Sequence, residues 1–270
     1  MIIACVLLSS MCNAQVGTFK LGVVEEIRSA ALAEKRRLNI YLPEGYSDKD
    51  TARYPVIYLL DGSANEDFIH IAGLVQFCTF PWVNRLPPSI VVGIANAARE
   101  RDMTFPTTVK AEHERFPTTG GSAKFISFIG EELQPYIAKR YRTNGQRTII
   151  GESLAGLLAT EVLFTKPFLF DKYIIISPSL WWDNGSLLNK RPTLQDAAHK
   201  MSIYIGVGKE GLAPSAEPHV MEVDANVLAD KLRALNNKEM SVYLDYMPDE
   251  NHATIGHQAA YNAFKWLYGK

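Results

Sequence analysis

The sequence predicts an α/β fold: a mostly parallel sheet of eight strands with helices on both faces. Three observations carry that prediction. Near-continuous β-branched runs such as YPVIYLL, SIVVGIA and MSIYIGVG mark strands buried on both faces. Segments with apolar positions at helical spacing alternate with them, the pattern of strand–helix–strand units. No Pro/Gly/Ser-rich linker, internal repeat or low-complexity tract interrupts the series, so residues 15–270 read as one domain.

In chain order, FKLGVVEEI and RRLNIYLP are two strands suited to an antiparallel hairpin, the second stopped by Pro43 and Gly45. YPVIYLL follows and ends in the turn Asp61-Gly62-Ser63. A helix from about Asp67 to Phe77 leads to the strand at 89–95. Residues 96–121 are charged and contain Pro106, Pro117 and paired glycines, a long loop of the functional or disordered kind. SAKFISFIGEELQPYIAKRY sets Phe125, Ile129, Leu133, Tyr136 and Ile137 on one face and reads as an amphipathic helix. RTIIG is the fifth strand, followed by a helix through Phe164. Strands at 173–177, 201–208 and 240–247 complete the sheet, with helices expected near 190–199, 220–235 and 258–268.

Hydrophobic residues are 47% and charged residues 21% of the 270 positions, enough for one large core. Twenty-eight basic and 29 acidic side chains leave a net charge of −1, which argues against nucleic acid or an anionic membrane as partner. MIIACVLLSSMCNAQ is apolar to Leu8 and then small and polar. Residues 1–14 therefore read as a signal peptide, which places the protein in the periplasm or outside the cell. The bland alternative is a frayed or buried N-terminal strand. The apolar stretch is too short to span a bilayer. Cleavage after Ala14 leaves Cys78 alone, so no intrachain disulfide is expected.

Open α/β sheets bind ligands beyond the carboxyl ends of their strands, so the residues after each strand are the candidates. After the fifth comes Gly151-Glu152-Ser153-Leu154-Ala155-Gly156. A nucleophile on a sharp strand-to-helix turn needs small residues two before and two after it. Gly151 and Ala155 meet that need, with alanine where glycine is commoner. The spacing alone says little, because roughly 0.1–0.2 such patterns arise by chance in a chain of this length. After the seventh strand the turn 206–211 presents Glu210, and after the eighth Pro248-Asp249-Glu250-Asn251 leads to His252.

Serine, acid and histidine in that order match the α/β-hydrolase triad. There a neutral imidazole takes the serine proton and a buried carboxylate fixes its tautomer. Ser153, Glu210 and His252 are the candidate catalytic residues. Asp249, Glu250 and Asp224 compete with Glu210, an ordinary helix cap competes for Ser153, and His257 competes with His252 but reads as structural. His70, His113, His199 and His219 read as surface or core residues. The oxyanion hole is expected from the Leu154 N–H and from Gly62 or Ser63. Trp181 and Trp182 read either as an aromatic wall for substrate or as a core plug. Arg99 and Arg101 either bind an anionic group of the substrate or pair with acids such as Asp102 to order the loop.

NIYLPEGY, YPVIYLLDG, RERDMTFP, IIGESLAG, SPSLWWDN and the late Asn251-His252 together resemble the esterase D and enterochelin-esterase branch of the α/β-hydrolases. The similarity covers roughly residues 37–268. It implies a serine esterase with no metal and no cofactor, its nucleophile at Ser153, its base at His252 and an acid in the Glu210 turn. Small-molecule esters, from siderophore lactones to phenolic and short acyl esters, are the substrates so implied. Ester hydrolysis through an acyl-enzyme is the expected reaction. Acyl transfer to an alcohol and a non-catalytic binding role are the other readings, and the sequence leaves the oligomeric state open.

Overall fold

The computed structural model describes residues 17–194, 199–215 and 217–269, and the signal-peptide segment lies outside them. The strands are β1 (Val23–Ser29), β2 (Glu34–Tyr41), β3 (Tyr54–Leu59), β4 (Ile90–Ile94), β5 (Thr143–Glu152), β6 (Lys172–Ile176), β7 (Met201–Gly208) and β8 (Met240–Met247). They form one sheet in the order β1-β2-β4-β3-β5-β6-β7-β8. Strand β2 pairs antiparallel with both β1 and β4, and all other neighbours are parallel. The sheet is thus the α/β-hydrolase sheet, with the carboxyl ends of β3 to β8 on one edge.

The helices are α1 (Phe68–Thr79), α2 (Arg99–Met103), α3 (Lys110–Arg115), α4 (Ser122–Ser127), α5 (Gln134–Arg140), α6 (Leu154–Thr165), α7 (Trp182–Asn189), α8 (Met221–Arg233) and α9 (Ile255–Tyr268). Strand side chains alternate between two cores, as a period of two requires. Val56, Tyr58, Ile149, Tyr173, Ile175, Ile203 and Ile205 pack with α6 and α8. Ile57, Leu59, Ile150, Ile174 and Ile176 pack on the opposite face with α1 and α9. Both faces being covered explains why these strands read as unbroken apolar runs. Among the described residues no helix is long and apolar enough to cross a membrane.

Three elements depart from expectation. The helix expected over 122–141 is divided: α4 and α5 flank a π-helical stretch, Phe128–Leu133, where the Gln134 N–H reaches Ile129 O. Pro135 lacks an N–H and cannot continue an ordinary helical ladder there. No helix lies at 190–194 or 199, and 195–198 are outside the described residues. Pro192 opposes a helix at that point, and Thr193 instead ties the strap to the end of α6, its N–H and hydroxyl both donating to Phe164 O. The loop at 96–121 carries α2 and α3. It is fastened to α7 through the Thr108 N–H and hydroxyl on Asp183 Oδ1 (2.6 and 2.8 Å) and the Asp183 N–H on Glu112 (2.9 Å).

The loop is anchored at its other end by a buried ion cluster. Arg36 of β2 and Asp102 of α2 are each 1% exposed and hydrogen-bonded, and Arg101 Nε also donates to Asp102 at 2.8 Å. Asp102→Ala leaves the Arg36 charge buried beside the Phe125 ring without its main partner. The expected cost is about 3–5 kcal/mol, read from the urea unfolding midpoint. An unshifted midpoint shows that the cluster does not hold the loop.

Candidate active site

Strand β5 delivers Ser153 to α6 through a turn in which Ser153 has φ 61° and ψ −120°. A non-glycine residue there costs about 1–3 kcal/mol, and the surroundings hold it in place. The Ser153 N–H donates to Ile176 O (3.1 Å), while its carbonyl accepts from Ser179 N–H (3.0 Å) and Leu157 N–H (2.9 Å). A Cβ on Gly151 would lie 2.4 Å from Ala155 O, so the turn excludes any larger residue at that position.

The parallel register of β7 and β8, with Gly208 opposite Met247, brings the two following loops together, and the Lys209 N–H donates to Glu250 O at 2.8 Å. Glu210 and His252 meet as a result. His252 Nδ1 lies 2.5 Å from Glu210 Oε2, and His252 Nε2 lies 3.1 Å from Ser153 Oγ. Glu210 is 4% exposed and receives a further short hydrogen bond from the Ser177 hydroxyl. Burial pushes its carboxyl up, but the bonds from His252 and then Ser177 outweigh it and hold it below the usual carboxylate range. A carboxylate accepts only, so His252 Nδ1 carries the proton and Nε2 is left to accept from the Ser153 hydroxyl. The hydrogen bond to Glu210, opposed by burial, raises His252 above its ordinary value.

The rival acids are elsewhere. Asp224 is 2.9 Å from His219 Nδ1, and neither Asp249 nor Glu250 meets His252 through its carboxylate. His257 is paired with His70, ring nitrogens 2.8 Å apart, instead of with Ser153. Glu222, not singled out from the sequence, supports the acid turn by accepting from the Glu210 N–H (2.9 Å) and the Gly211 N–H (2.9 Å).

Of the two amides expected from the turn after β3, that of Gly62 is spent: it donates to Ile94 O at 3.0 Å, extending the pairing with β4. Gly62 therefore does not serve as an oxyanion donor, contrary to expectation. The Ser63 N–H donates to the Glu66 carboxylate at 3.2 Å, an anion already occupying that donor. Leu154, first residue of α6, has no helical acceptor four residues back for its N–H.

The tryptophans divide. Trp182 is fully buried, its Nε1–H donating to Phe105 O at 2.9 Å, so it is a core plug that anchors the loop and not a substrate wall. Trp181 lines a cavity of about 390 Å³ beside Ser153 and His252, together with Phe116, Leu212 and Met221. Arg101 takes the loop-ordering role of its two readings and does not bind substrate: its guanidinium is taken up by Glu34 and Asp102. Arg99 reaches the cavity edge while forming a two-pronged pair with Asp61 (2.7 and 2.8 Å). A second cavity of about 420 Å³ opens on the other side of Ser153 and includes Asp61, Asp67, Glu152 and His257. Burial, with Asp67 next, pushes Glu152 up to about 7.

A mostly parallel sheet, a strained serine at a strand-to-helix turn, and a histidine and buried acid from later strands define a serine hydrolase of the α/β-hydrolase fold. Residues 29–254 match the esterase family described as "Putative esterase", and the chain belongs to that family. It is 37% identical over 171 residues to the ferri-bacillibactin esterase BesA of Bacillus subtilis, a match covering 58% of each chain. The crystal structure of an IroE-like serine hydrolase from Shewanella oneidensis is similar with a TM-score of 0.78 and 32% identity, over 92% of this chain and 80% of that one. The BES protein of Bacillus cereus gives 0.81 and 27%, over 96% and 100%.

Proposed function

We propose that this protein hydrolyses carboxylic esters through an acyl-enzyme, with Ser153 as nucleophile, His252 as base and then acid, and Glu210 orienting His252. The chain of contacts from Ser153 Oγ through His252 to Glu210, at 3.1 and 2.5 Å, carries this reading. Attack on the ester carbonyl transfers the serine proton to Nε2, and the imidazolium so formed is stabilised by Glu210. The same proton goes to the departing alcohol, and a water activated by His252 then releases the acid. The N–H groups of Leu154 and Ser63 take the oxyanion, Ser63 exchanging the Glu66 carboxylate for the developing oxyanion.

The cavity beside Trp181 and Phe116 supports an ester bearing an aromatic or broad apolar group. Siderophore esters, among the substrates that the family resemblance implies, fit that description, and the Bacillus subtilis relative is named for ferri-bacillibactin. Export directed by residues 1–14, leaving one α/β-hydrolase domain from residue 15, belongs to the same proposal.

Treatment with a fluorophosphonate is expected to label Ser153, located by peptide mass spectrometry. Absence of label on Ser153 in folded protein overturns the assignment. The base must be neutral to act, and Glu210 raises the pKa of His252. The labelling rate therefore declines as pH falls through a midpoint above the ordinary 6.5, and a midpoint at or below it contradicts the His252–Glu210 bond.

A further inference from the structure

The segment Ser177-Pro178-Ser179 leaves β6 between the two ends of this constellation. Ser179 reaches the nucleophile, its N–H bonded to Ser153 O and its hydroxyl 3.4 Å from Ser153 Oγ. Ser177 reaches the acid: its hydroxyl donates to Glu210 Oε1, the oxygen that His252 does not use. Among the described residues the one other donor on Oε1 is the Gly208 N–H, at 3.3 Å. Ser177 is fully buried and has φ 40°, a left-handed conformation for a residue with a side chain. Its N–H is fixed on Gly206 O at 2.8 Å, and Pro178 is wedged against α6, where a Cβ on Gly156 would come within 3.0 Å of Pro178 Cα. Backbone strain of this kind persists where neighbours over-determine it, and it gathers at functional sites.

We infer that Ser177 is a positioning residue for the hydrolysis: its hydroxyl stops Glu210 from rotating and so keeps Oε2 on His252 Nδ1. The inference rests on the reading of Ser153, His252 and Glu210 given above. A carboxylate on a three-torsion side chain has two equivalent oxygens and a broad last torsion, so one bond to a mobile imidazole does not fix its plane. A second donor on the other oxygen does. His252 itself is nearly half exposed, and the loop that carries it offers no other group to Nδ1. The charged groups around its ring are Glu210 and Glu152, which favour the imidazolium, and Arg99, which opposes it, with Asp249 and Glu250 on its own loop. Among the described residues Glu210 alone bonds Nδ1, so loosening Glu210 is felt there.

The test uses Ser177→Ala, which deletes the hydroxyl alone, and Ser177→Gly, which deletes it while removing the conformational strain. In both, kcat for a short-chain p-nitrophenyl ester is expected to fall about 10- to 100-fold with KM unchanged, the effect of losing one hydrogen bond to a charged group. The acidic limb of the pH–rate profile moves to lower pH, because the raised pKa of His252 depends first on its bond to Glu210. The far-downfield proton NMR signal of the Nδ1–H, expected in the wild type, shifts upfield or broadens. A kcat and an acidic limb equal to wild type in the glycine variant overturn the inference, as does a limb that moves upward or an unchanged Nδ1–H signal. If the wild type lacks the downfield signal, or Ser153 takes no fluorophosphonate, the underlying reading fails instead.

Discussion

Ser153→Ala lowers kcat for a short-chain p-nitrophenyl ester by about 10⁵-fold or more, while the protein stays folded. No other oxygen at the site combines a strained, outward-turned backbone with a base at 3.1 Å, so removal of this hydroxyl removes the attack itself. Removing a triad nucleophile in serine hydrolases costs on the order of 10⁶ in kcat, with residual rate from oxyanion stabilisation and binding. Stability is expected to change by no more than about 1 kcal/mol, since the backbone bonds that hold the turn remain. The paired measurements are kcat and the thermal midpoint. A variant retaining a tenth of the activity moves the nucleophile elsewhere, and Ser179, 3.4 Å away, becomes the residue to replace.

Glu210→Gln is expected to cost about 10⁴-fold, the loss seen when a triad carboxylate becomes an amide. The mechanism can be read from the neighbours. Ser177 and Gly208 both present hydrogens to the Oε1 position, so the amide oxygen settles there. The amide NH₂ then faces His252 Nδ1, which must accept, and the ring proton moves to Nε2. His252 can no longer take the proton of Ser153. Asp249→Asn and Glu250→Gln, whose carboxylates do not meet His252, leave the rate near wild type. A Glu210→Gln enzyme within tenfold of wild type identifies a serine–histidine dyad.

The two cavities frame the substrate question. One wall is aromatic and aliphatic, through Phe116, Trp181, Leu212 and Met221, and the other is rich in carboxylates. Arg99 stands between them and is paired with Asp61, so it presents less free positive charge than an isolated arginine. An ester with an apolar ring on one side of the carbonyl and a polar group on the other matches this division.

Much of the constellation is legible in the sequence. Periodicity placed the eight strands, and small residues around Ser153 between a strand and a helix placed the turn, because both are local consequences of side-chain size and spacing. The order of Glu210 and His252 after the seventh and eighth strands was visible for the same reason. The helix expected at 190–199 was not borne out over its described residues, and the long helix at 122–141 was interrupted, because a proline and a tertiary strap overrode an apolar pattern. Phe116 and Glu222 carried no signal beyond being an aromatic and an acid in segments remote from Ser153.

The sequence by itself determined the sheet, the edge on which chemistry can occur, and the serine that the edge presents. Only the tertiary structure decided which of four acids faces His252, that Trp181 and not Trp182 borders the cavity, that Arg101 is consumed by Glu34 and Asp102, and that the Gly62 amide is spent on Ile94. The reason is one of range. Turn and strand signals depend on neighbours a few residues apart, whereas these outcomes depend on distances between loops 30 to 100 positions apart. Those distances are set by the register in which parallel strands dock, which no short stretch of sequence specifies.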